Sequence, residues 1–81
     1  MELNRAIALR ISNLMIKNKI KSQYELCKKA GLTESTLRNI LNESYKGTNI
    51  LTLIKICDGL NVSIQEFLDD DLFKRDNLDV D

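Results

Sequence analysis

The sequence predicts an all-α protein, a compact five-helix bundle, and three observations carry that prediction. Apolar residues recur at helical spacing along the chain, and no segment alternates with period two. Two capping boxes, Ser22-Gln-Tyr-Glu25 and Ser63-Ile-Gln-Glu66, mark helix starts. The absence of proline leaves few compulsory breaks.

Each element follows in order. Ile7, Ile11 and Leu14, flanked by Leu3 and Ala6, repeat at i, i+4 and i+7. They predict a first helix over about residues 3–18, fading at the polar Lys17-Asn18-Lys19. In the first capping box the Ser22 hydroxyl takes the amide of Glu25, and the Glu25 carboxylate returns to the amide of Ser22. The second helix then runs to about Ala30, burying Leu26, Cys27 and Ala30. Gly31 ends it, free to adopt the left-handed conformation. Thr33 caps a third helix, with Glu34 near its positive end and Leu37, Ile40 and Leu41 as its buried stripe. The polar segment from Asn42 to Asn49 reads as a loop. Thr48 or Asn49 caps a fourth helix, in which Ile50, Leu53, Ile54, Cys57 and Leu60 supply the apolar positions. Gly59 and Asn61 mark a turn, and the second capping box opens a short fifth helix with Ile64, Phe67 and Leu68.

Composition narrows the function. With 81 residues there is one domain. Cys27 and Cys57 form no CxxC and the chain has no histidine, so no metal site is expected. Both cysteines fall in apolar helical patterns, as reduced, buried thiols of a cytoplasmic protein do. The first helix is broken by Arg5 and Arg10 and reads as neither signal peptide nor membrane span. With no histidine, no glycine-rich phosphate loop and no nucleophile–base pair, neither an enzyme nor a cofactor is expected. The formal net charge of zero conceals a division. Residues 1–57 hold ten Lys or Arg against four Glu, which is +6; residues 58–81 hold two against eight acids, which is −6. A basic first part invites a polyanionic partner.

Helix two ends at Gly31 and helix three begins at Thr33, so a turn of three or four residues fixes the angle between them. Small Cys27 and Ala30 permit close packing there. That is the helix-turn-helix arrangement, in which the first helix lies across a duplex backbone and the second enters the major groove. A plain αα-corner in any small bundle would share these features.

The longer order SQYELCKKAGLTESTLRNIL, a polar loop, TLIKICDGLNV and SIQEFL resembles the Cro/cI-type (Xre) helix-turn-helix regulators, the lambda-repressor-like DNA-binding domains. The resemblance rests on Ser22, Gln23, Leu26, Cys27, Gly31, Thr33, Leu37, Thr52, Leu53, Lys55 and Ile56, and covers about residues 5–68. It implies a helix-turn-helix domain, placed here over residues 1–68; the composition of 69–81 marks an acidic, partly ordered tail. It also implies a repressor that binds a double-stranded DNA operator as a homodimer, without membrane or cofactor, reading the groove with helix 33–42.

Carried onto these positions, the base-reading residues are Glu34, Ser35 and Asn39, with Thr36 beside them. A Glu carboxylate accepts from the cytosine amino group, and an Asn amide pairs bidentately with adenine. Gln23 and Asn42 match phosphate-clamping positions, with Arg38 and Lys46 as neighbouring backbone contacts. The chain departs from the family pattern in three places. Cys27 stands for the usual Ala, the link before helix two carries an extra residue, and Glu43 follows Asn42 where many relatives have Gly. The tail mixes six aspartates with Leu72, Phe73, Leu78 and Val80. Leu72 and Phe73 are expected to pack beside helix five and help join two subunits. The alternative to a DNA-binding regulator is a protein-interaction module of the same fold, an antitoxin or anti-repressor, with the acidic tail offered to a protein partner.

Overall fold

The computed structural model describes residues 1–44 and 48–79. Among them are five α-helices: α1 (Leu3–Lys17), α2 (Gln23–Ala30), α3 (Glu34–Leu41), α4 (Ile50–Leu60) and α5 (Ile64–Leu68). Two 3₁₀ turns follow, Asp71–Phe73 and Arg75–Asn77, and no strand occurs among the described residues. Helix α2 lies chiefly against α4, and α3 packs on α1 and α2.

The caps expected from sequence form. Ser22, Thr33, Asn49 and Ser63 each accept the amide three residues on, so Asn49 rather than Thr48 caps α4. The Glu25 carboxylate differs from expectation, accepting the amide of Lys21 at 3.0 Å in place of that of Ser22. That bond, with Lys29 a lesser influence, holds the Glu25 carboxyl below its ordinary range.

The core gathers Ile7, Ile11 and Leu14 of α1, Leu26 and Cys27 of α2, and Leu37 and Ile40 of α3 around Phe67. Helix α4 adds Leu53, Ile56, Cys57 and Leu60, spaced i, i+3, i+4 and i+7. This corrects the stripe expected for α4. Ile54 falls one step round the helix from Leu53, and Ile50 sits at its first position, so they remain 41% and 62% exposed. Ile56, fully buried, takes the inward place. Leu41 is half-buried rather than fully inside. Helices α2 and α4 approach so closely that a Cβ on Gly59 would stand 2.9 Å from the Ala30 Cβ. Both cysteines are free and buried. Burial, with Asp58 a smaller influence, pushes the Cys57 thiol up to about 11, so it stays protonated and unreactive at neutral pH.

The described part of the tail folds back on its own chain. The Phe73 ring lies 5.7 Å from that of Phe67, and the turn Asp71–Phe73 packs on α1. Arg10 of α1 holds the junction, donating to the Phe67 carbonyl at 2.8 Å, the Glu66 carbonyl at 2.9 Å and the Asp70 carboxylate at 3.1 Å. Phe73 is therefore beside α5, as expected, and packs, partly buried, against this chain's own core. Val80 lies outside the described residues.

Candidate nucleic-acid interface

Three residues, Gly31, Leu32 and Thr33, separate α2 from α3. Gly31 takes φ +70°, a conformation open to it because it lacks a Cβ. The Leu32 amide returns to the Cys27 carbonyl at 3.1 Å, while Leu32 packs on the core. The Cys27 thiol donates to the Thr33 carbonyl at 3.6 Å, a weak tie between α2 and the cap of α3. These contacts set the direction in which α3 leaves the turn.

With Leu37 and Ile40 buried, the opposite side of α3 carries Ser35, Arg38, Asn39 and Asn42 at i, i+3, i+4 and i+7. Ser35, Arg38 and Asn42 are exposed, and Asn39 is half-buried. Glu34 is exposed at the first position of the helix, where the dipole favours its charge. Thr36 stands apart from this group. It is half-buried, and its hydroxyl is 2.9 Å from that of Thr33, so it belongs to the cap as much as to the face. Gln23 is exposed at the first position of α2. Lys46 lies outside the described residues.

The cations of the basic part do not all remain available. Arg10 is committed to the tail, and Lys29 lies 3.5 Å from Glu25. Lys28 sits 5.9 Å over the Tyr24 ring on the exposed side of α2. One feature of the site escaped the sequence reading. The Asn42 side-chain oxygen accepts the Ser44 amide at 3.1 Å and also the Ser44 hydroxyl. Asn-x-Ser after the last helical residue is the signal that could have found it, since short polar side chains often fold back on backbone two residues on.

A short helix pair joined by a glycine turn, with a polar outer face on its second member, has the form of a helix-turn-helix. The pattern of the Cro/C1-type HTH DNA-binding domain family matches residues 10–71. The chain belongs to that family, and is a DNA-binding protein of it. No curated protein and no solved structure matches the chain. Among the described residues, no helix is long and apolar enough to cross a membrane.

Proposed function

We propose that this chain is a sequence-specific transcriptional regulator, acting as a repressor, that reads the major groove with α3 as a homodimer. The observation that carries this is the outer face of α3, where four polar side chains recur at helical spacing opposite Leu37 and Ile40. The major groove is wide enough to admit such a helix. In this reading Glu34 accepts from cytosine, Asn39 pairs with adenine, and Ser35 contacts either. Thr36 keeps one donor or acceptor site of its hydroxyl for a base while bonded to Thr33. Gln23, Arg38, Asn42 and Lys46 hold phosphates and fix the register.

The homodimer is supported by Ile50, Leu51 and Ile54, which expose 62%, 61% and 41% of their surface on one side of α4. The described tail is already packed on its own α1 and does not cover them. Three aliphatic side chains cover well under the roughly 800 Å² per partner of a standard interface. A second copy therefore associates weakly in solution and is completed by a two-fold symmetric operator.

Selection from a random duplex pool tests this reading. It should enrich one palindromic site bearing two protomers by sedimentation, with affinity falling by a log–log slope of roughly −0.9 per phosphate neutralised. Salt-insensitive binding without enrichment would favour the protein-interaction module.

A further inference from the structure

Helices α1 to α4 end by the same device. After each, one residue takes the left-handed conformation: Lys19 at φ +58°, Gly31 at +70°, Glu43 at +62° and Asn61 at +61°. The next amide reaches back into the last turn, from Ile20 to Met15, Leu32 to Cys27, Ser44 to Asn39 and Val62 to Cys57, at 2.9–3.1 Å. In three of the four, the residue after the left-handed one is apolar and part of the core or packed on it: Ile20, Leu32 and Val62.

The end of α3 is the exception. Ser44 is exposed there, and Asn42 holds it in place of a core contact. The left-handed position is occupied by an acid, in a conformation that glycine would adopt without steric cost. Glu43 is exposed, directly follows Asn42 of the outer face, and among the described residues pairs with no cation. The turn thus places an acidic residue at the end of the helix proposed above to enter the groove.

We propose that Glu43 sets the strength of DNA binding: its carboxylate repels the phosphates beside α3 and lowers affinity for every duplex, leaving base preference unchanged. This rests on the DNA-reading face proposed above. Repulsion between exposed charges is modest and is screened over about 10 Å at 0.1 M salt. Its signature is therefore a salt-dependent shift common to all sequences.

The test compares wild type with Glu43→Gln and Glu43→Gly by fluorescence anisotropy, on a selected duplex and on a scrambled one, across a salt series. Glu43→Gln should tighten both duplexes about 3–10-fold at low salt, a gap that closes as salt rises. Glu43→Gly should show the same gain together with a higher melting temperature, because it also removes the left-handed cost. Wild-type affinity in Glu43→Gln at low salt, or a gain limited to the selected duplex, would overturn the proposal while leaving the DNA reading intact. A wild-type chain that binds neither duplex would overturn both.

Discussion

The Thr33 hydroxyl accepts the Thr36 amide at 3.2 Å and lies 2.9 Å from the Thr36 hydroxyl. It therefore anchors the turn from which Glu34 and Ser35 project. Thr33→Ala should cost about 1 kcal/mol of stability, read by thermal or urea unfolding, and Thr33→Ser should restore it. The cap was legible in the sequence because Ser, Thr and Asn mark helix starts through a local bond that needs no tertiary context. The same locality explains Gly31. What was not legible is how a polar side chain is spent once folded. The Thr36 hydroxyl shared with Thr33 and the Glu25 carboxylate turned to Lys21 each depend on rotamers that spacing does not determine.

Helix α4 shows both what periodicity provides and where it stops. It located the helix, yet two alternative stripes, one through Ile50 and Ile54 and one through Leu53 and Ile56, fit the same run of aliphatic residues. Only the packing of α2 on α4 chooses between them. Gly59 is the point of choice, since its missing Cβ lets Ala30 and Leu26 of α2 approach. Gly59→Ala should destabilise the fold by about 1–3 kcal/mol through overpacking, visible as a lower melting temperature. The reach of Arg10 to residues 66–70 is a second case, invisible in sequence because it joins segments nearly sixty residues apart. Arg10→Ala should cost about 2 kcal/mol and speed amide exchange in residues 69–79, since it strands the Phe67 carbonyl and Asp70. Unchanged exchange there would show that Phe73 and the bonds of Met1 to Asn77 and Asp79 hold the tail without Arg10.

Folding redistributes the charge that the sequence divides at residue 57. The acidic end packs on α1 through Arg10 and Phe73, while the polar face of α3 lies opposite the core residues Leu37 and Ile40. In the function proposed above, this face reads bases. Repeating the duplex selection with Asn39→Ala tests it most directly, with wild type as the reference. Asn39→Ala should stay folded and still enrich a related site. Discrimination should be lost at one base pair per half-site, by about 1–3 kcal/mol in competition binding. An Asn39→Ala chain that enriches the wild-type site with undiminished preference at every position would contradict it.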